Sequence, residues 1–261
     1  MSVPRCLTIA GSDSGGGAGI QADLKAFAAV GCHGMSVVVA LTAQNTVGVT
    51  AVHEAPVEFV QAQLEAVFSD IGVDVAKTGM LFSAPIVEAV ADYLAAHPVP
   101  LVVDPVMVAS SDARLLREDA VETLVTRLFP LATVITPNLL EAEALAGGPA
   151  PRDELARRLY ALGPQAVIVT GGHGDEAVDT LFDGEELIHI PVPRHESGAT
   201  HGAGCTHSAV LAALLGSGYG LRRAAEGAAR LASEAVRGGF ADLGAGDGPV
   251  DVLGPKTKRI V

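Results

Sequence analysis

Two kinds of segment alternate along the chain. Short, almost unbroken apolar runs each end in a polar or glycine-bearing turn, and longer runs with apolar residues at helical spacing lie between them. Cys6–Ala10, Met35–Leu41, Val73–Lys77, Leu101–Val103, Thr133–Ile135 and Ala166–Val169 predict strands of a parallel sheet. A strand buried on both faces reads as continuous rather than alternating hydrophobicity. Ile20–Val30, Val57–Phe68, Ala84–Ala96, Asp119–Leu128, Glu141–Leu145, Arg152–Leu162, Ser208–Leu215 and Arg222–Gly238 predict helices. From Ala177 to Ile190 two short strands flank Asp183-Gly184, a hairpin signal. Such alternation implies an α/β fold, with a central, mainly parallel sheet flanked by helices on both faces. Ligands of such sheets bind at the carboxyl ends of the strands. There the polar and glycine residues gather: Asp13, Gln44, Gly79, Asp104, Asn138 and Thr170. No repeat or linker divides the chain, so residues 1–261 read as one domain with one site. The tail after Gly244 is polar and reads as poorly ordered at its end.

Composition narrows this picture. Hydrophobic residues make up 49% of the 261, ample for a core. A formal net charge of −13 leaves no basic patch to neutralise phosphates, which argues against nucleic acid as a partner. Three cysteines, Cys6, Cys32 and Cys205, make no CxxC pair, so neither a disulfide framework nor a zinc site is expected. The N-terminus runs straight into an apolar strand, without a signal-peptide layout or a membrane-spanning run. The expectation is a cytoplasmic protein.

The candidate chemistry centres on Ala199–His207, Ala-Thr-His-Gly-Ala-Gly-Cys-Thr-His, directly before an alanine-rich helical run. Glycines let the backbone approach a ligand, and a helix start adds unpaired N–H donors and the positive end of a dipole. One reading is therefore an anion site for a phosphate whose charge grows during transfer, with the Cys205 thiol pKa lowered in that field. The other is a glycine-rich turn over a buried cysteine. As a catalyst Cys205 could serve as a base toward an alcohol or as a covalent nucleophile; the latter would want a neighbouring base, and His201 and His207 are near in sequence.

The first glycine loop invites other readings. Gly17-Ala-Gly19-Ile-Gln-Ala22 fits a dinucleotide fingerprint, but the next strand ends Leu41-Thr-Ala-Gln44, with no acid for a ribose. Gly11-Ser-Asp-Ser-Gly15 puts an aspartate where a nucleophile elbow needs serine, and the chain has no P-loop sequence. Asn138 and Glu141, three apart at a helix start, suit a capping box. Equally, Asp104 and Glu141 suit Mg²⁺ near a triphosphate, since that ion keeps several waters and few carboxylates.

These residues resemble a known family. Thr8–Lys25, Leu41–Thr46, Lys77-Thr-Gly-Met80, Asp104-Pro-Val-Met107, Thr136–Leu139 with Glu141, and Thr200–Cys205 follow one another in its order. The chain is similar to the hydroxymethylpyrimidine/phosphomethylpyrimidine kinases of thiamin biosynthesis, in the ribokinase-like superfamily. The resemblance implies a ribokinase-like α/β fold, a homodimer, and ATP with Mg²⁺ as phosphoryl donor to an aminopyrimidine and then to its monophosphate. It implies that Gln44 holds the pyrimidine's amino and ring-nitrogen edge, that Gly11 and Asp23 line the same pocket, and that Met80 packs on the ring. It makes Cys205 the base, the amides of Gly202, Ala203, Gly204 and Cys205 the anion hole, and Asp104 and Glu141 the acids that serve the metal. Asn138, Thr170, Gly172 and Thr200 fall to ATP. Two departures stand out. Thr170 replaces a usual lysine, and Ala109–Asp112 lacks the usual Lys-Ser-Gly. A pyridoxal kinase on the same scaffold, or a pyrimidine-binding protein without transfer activity, are the alternatives.

Overall fold

The computed structural model describes residues 3–107, 116–171 and 177–254. β1 (Arg5–Asp13) leads into α1 (Gly19–Val30), and β2 (His33–Gln44) returns beside it. β3 (Val49–Glu54), α2 (Val57–Ala66), β4 (Val75–Thr78), α3 (Ala84–Ala96) and β5 (Leu101–Val103) follow. Next come α4 (Glu118–Thr123), β6 (Val134–Ile135), α5 (Leu139–Leu145), α6 (Arg152–Tyr160) and β7 (Val167–Val169). The hairpin β8 (Val178–Phe182) and β9 (Leu187–Pro191), α7 (Ala203–Gly216) and α8 (Leu221–Arg237) complete the order. The strands join one nine-stranded sheet, in the order β3-β2-β1-β4-β5-β6-β7-β8-β9. The six from β2 to β7 run parallel; β3 at one edge and β8–β9 at the other are antiparallel.

Side chains alternate across the sheet, so each strand feeds two cores. Leu7 and Ile9 of β1 face one, with Leu64 of α2 and Val87 of α3; Cys6 faces the other, with Phe27 of α1 and the alanines of α7 and α8. α7 is apolar nearly all round and buries Thr206–Ala213 between the sheet and α8. α8 meets it with an alanine stripe, Ala224, Ala225, Ala228, Ala229 and Ala232. No helix among the described residues is long and apolar enough to cross a membrane.

The structure departs from the sequence reading in two places. β3 was not expected: its residues lie half in solvent and form no apolar run, and pairing with the extended end of β2 makes them a strand. α7 begins at Ala203, five residues before the apolar run, so the glycines and Cys205 lie within its first turn. After Gly244 the chain is held as far as Asp251; residues 255–261, the end expected to be poorly ordered, lie outside the described residues. Gly246 N–H donates to Thr46 Oγ1 (3.2 Å), Val250 N–H to the His201 carbonyl (3.1 Å) and Asp251 N–H to that of Ala235 (2.9 Å).

Candidate active site

Two helices begin side by side. α1 starts at Gly19 and α7 at Ala203, after Gly202. Gly202 has φ +86°, and a Cβ there would sit 1.8 Å from the Gly17 carbonyl oxygen. Only glycine permits both the left-handed turn and that approach. In the first turn of α7 the Ala203 amide donates to the Thr200 carbonyl (3.0 Å), which corrects its expected place in the anion hole, while the amides of Gly204 and Cys205 have no helical partner. This is the geometry of an anion site, and the dipole of α7 adds to it.

Cys205 lies partly exposed in that first turn, with the Gly19 amide donating toward its sulfur. Below it is a buried cation. Lys77, fully enclosed on β4, places Nζ 2.8 and 3.0 Å from the two oxygens of Asp23 and 3.9 Å from Asp104 Oδ2. Burial alone would strip the Lys77 proton, but Asp23, Cys205 and Asp104 reverse this and hold it charged. The thiol answers to the same group. Enclosure in protein pushes Cys205 up to about 12, outweighing the pull of Lys77, while Asp23 and Asp104 add to the rise. The expected lowering of the thiol pKa is thus reversed: low dielectric and two carboxylates outweigh the helix start.

The residues expected at the ring lie at the carboxyl ends of the neighbouring strands β2, β1 and β4. Gly11 and Met80 are joined by Gly11 N–H to the Met80 carbonyl (3.2 Å), at the ends of β1 and β4. Gln44 closes β2, with Oε1 accepting from Thr42 Oγ1 (3.2 Å), which leaves its NH₂ and a lone pair for a ligand. A cavity of about 220 Å³ runs past Gln44 to His201 and is bounded by Gly246 and Asp247. Gly11, Met80 and Asp23 do not border it. The Asp23 carboxylate is wholly buried and is taken up by Lys77 and by the Thr8 hydroxyl (2.6 Å), which ties α1 to β4 and β1.

The ends of β5, β6 and β7 form the opposite wall. Asp104 accepts from Ser208 Oγ of α7 (2.8 Å). Asn138 and Glu141 form a reciprocal capping box at the start of α5, with 3.0 Å for each bond. The second oxygen of Glu141 accepts from Met107 N–H (3.2 Å). Burial lifts the Asp104 carboxyl, and burial with the Asp104 charge lifts Glu141 to about 8. Two buried acids that disfavour each other's charge suit a cation between them. The buried Thr78 and Thr136 hydroxyls, at the ends of the flanking strands, have no hydrogen-bond partner. Such a donor set fits Mg²⁺ carrying water and phosphate better than a full protein cage.

Thr170 bridges to Asn138 at the end of β7, and its carbonyl accepts from Arg152 of α6 (3.0 Å). Gly171 N–H donates to Asp179 of β8 (2.7 Å), which also meets His207 of α7 (2.9 Å). Thr200, at the rim, gives both its amide and its hydroxyl to Asp247 (2.9 and 2.6 Å). Gly172 and Ala109–Asp112 lie outside the described residues.

The site thus draws together residues from the whole length of the chain. Sequence reasoning passed over Lys77, Ser208, Asp179 and the Asp13–His201 pair. Lys77 carries a signal as a lysine ending an otherwise apolar strand; Asp13 and His201 each stand out in the sequence, but nothing local pairs them.

The same length is matched in known proteins. The phosphomethylpyrimidine kinase family model covers residues 13–251. The hydroxymethylpyrimidine/phosphomethylpyrimidine kinase of Rhizobium meliloti is 49% identical over 252 residues, 94% of this chain and 95% of that protein. Among solved structures, an ADP complex of Bacillus subtilis pyridoxal kinase superposes with a TM-score of 0.89 at 37% identity, over 99% of this chain and 100% of that one. A phosphomethylpyrimidine kinase from Clostridium difficile gives 0.77 at 40% identity, over 87% of this chain and 96% of its own. With the anion loop, the glycine loop and the acids of the strand ends all inside the matched region, the chain belongs to the phosphomethylpyrimidine kinase family.

Proposed function

We propose that the protein transfers the γ-phosphoryl group of ATP to the hydroxymethyl group of an aminopyrimidine and then to the resulting monophosphate, a kinase pair of steps in thiamin biosynthesis. The observation that carries this reading is the meeting of two helix starts at Cys205, with a free amide edge at Gln44 on one side and buried acids on the other. Phosphoryl transfer depends mainly on positioning and on stabilising charge. The amides of Gly202, Gly204 and Cys205 would receive the charge that grows on the transferred group, in a turn that the Ala203 bond to Thr200 braces. Gln44 would hold the amino and ring-nitrogen edge, with Gly11 and Met80 beside the ring and Asp23 holding Lys77 below. Cys205 would take the hydroxyl proton as the thiolate, the form that Lys77 and the Gly19 amide favour.

Asn138, Thr170, Gly172 and Thr200 would border the nucleotide, and Asp104 and Glu141 would hold Mg²⁺, which when bound offsets the charge of the phosphates. Arg152, next to Thr170, keeps a cation on that wall despite the departure from the usual lysine. Three free cysteines fit work in the cytoplasm. The exposed edge strand β3, with Leu41 exposed on its neighbour, suits a homodimer of one-domain subunits.

The deciding experiment is ADP release with Mg·ATP on hydroxymethylpyrimidine, its monophosphate and pyridoxal in parallel. Turnover on both pyrimidines is expected. Turnover on pyridoxal alone would move the substrate to that of the Bacillus structural relative, and binding without turnover would make the chain a pyrimidine-binding protein.

A further inference from the structure

The two glycine loops meet at one buried histidine–carboxylate hydrogen bond. Asp13 ends β1 and is 2% exposed; His201 precedes Gly202 and is 8% exposed. His201 Nε2 lies 3.0 Å from Asp13 Oδ2. The same carboxylate accepts the amides of Gly15 (2.8 Å), Gly17 (2.9 Å) and Ala18 (2.8 Å), so it shapes the whole turn into α1. Burial works against its charge, but the His201, Ala18 and Gly15 donors prevail and keep it ionised. His201 is in turn clamped through its backbone, with N–H to the Gly248 carbonyl (3.2 Å) and its carbonyl to Val250 N–H. A Cβ on Gly17 would lie 2.3 Å from His201 Cδ2, so the loops are in full contact.

What flanks this contact is the reacting centre. Gly19, six residues after Asp13, aims its amide at the Cys205 sulfur, and Gly202, one after His201, opens the anion hole. The two stretches are 188 residues apart in sequence, and His201 is the side chain that ties one to the other through the carboxylate. A slip between them would carry the Gly19 amide away from the sulfur, and it would reach Gln44 more weakly, through the Ser14 hydroxyl that bonds the Gln44 backbone (2.7 and 2.8 Å).

We propose that Asp13 and His201 are positioning residues for phosphoryl transfer, locking the loop that carries Gly19 to the loop that carries Gly202 and so holding the Cys205 sulfur in line with the anion hole. This rests on Gly202–Cys205 being the transfer site. Misplacement of a reacting group by about 1 Å costs roughly a hundredfold in rate. His201→Ala is therefore expected to lower kcat about a hundredfold, with KM for Mg·ATP within about threefold of wild type and a rise of under about tenfold for the pyrimidine, since His201 also borders the cavity beside Gln44. His201→Gln, which keeps an N–H at similar reach, is expected to recover kcat to within about tenfold of wild type. Asp13→Asn combined with His201→Ala should fall little further than the worse single variant, as for two halves of one contact.

The test is steady-state kinetics on these variants, with melting temperature and pyrimidine affinity by calorimetry as measures of the fold. A kcat for His201→Ala within about threefold of wild type, a glutamine variant as slow as the alanine one, or a loss explained by unfolded protein would each overturn the proposal. Cys205→Ser, measured alongside, separates the two levels. If it abolishes turnover while His201→Ala does not, only the positioning role falls; if neither slows turnover, the assignment of the transfer site falls with it.

Discussion

Cys205 occupies a site that pulls its thiol in two directions. Lys77 and the Gly19 amide favour the thiolate, while enclosure and the charges of Asp23 and Asp104 favour the thiol and prevail. A base works only in its deprotonated form, so a raised pKa makes the active fraction grow with pH. If Cys205 is the base, kcat should rise about tenfold per pH unit across the neutral and mildly alkaline range, short of the thiol's own pKa near 12. Initial rates at saturating substrates from acid to alkaline pH measure this. A flat profile would assign the sulfur a hydrogen-bonding role toward the phosphoryl oxygens instead. At this scale the residue types of the site were readable: a cysteine after two glycines, acids and amides after apolar runs. Their electrostatics were not. The thiol's protonation depends on Lys77 and Asp23, which lie 128 and 182 residues away and were brought beneath it by the sheet.

Among the elements, α7 connects the chemistry most directly to the fold. Its N-terminal turn supplies the anion hole, and its buried alanine face fastens that turn to the sheet and to α8. Gly202 is the hinge of this arrangement, because its φ of +86° and its approach to the Gly17 carbonyl exclude any side chain. Gly202→Ala should lower kcat by about a hundredfold or more, since both the left-handed turn and the backbone contact would have to shift by part of an ångström. Pyrimidine affinity should stay within about threefold, because Gln44 sits on a different element. Kinetics paired with calorimetry read the two quantities separately, and an equal loss in both would show that the turn also shapes the ring pocket. The apolar period revealed the body of this helix from Ser208 onward. It could not reveal the first turn, where glycine and threonine mask the pattern and a contact with another loop sets the start. β3 was hidden for a related reason, since its half-exposed residues become a strand only by pairing with β2.

Across the whole molecule, the Lys77 cluster joins the parts that make the site. Asp23 comes from α1, Lys77 from β4, Asp104 from the end of β5, and Ser208 from α7. Removing the cation would leave two carboxylates buried without their partner. Lys77→Met should therefore destabilise the fold by about 3–5 kcal/mol, lowering the melting temperature by on the order of 10 °C for a domain of this size. Thermal unfolding followed by circular dichroism checks this, and a melting point unchanged within a degree or two would mean that the acids are held neutral without Lys77.

By itself the sequence determined the alternation of strands and helices, the parallel core, the strand ends where polar residues collect, and the two glycine loops. These follow from local periodicity and from glycine's backbone freedom, both written in neighbouring residues. The tertiary structure alone decided that Asp23 is buried against Lys77, that enclosure raises the Cys205 thiol pKa, and that Asp13 meets His201. Each of these depends on burial and on charges brought together from distant parts of the chain, and a residue's neighbours in sequence carry no record of how far water is excluded from it in the fold.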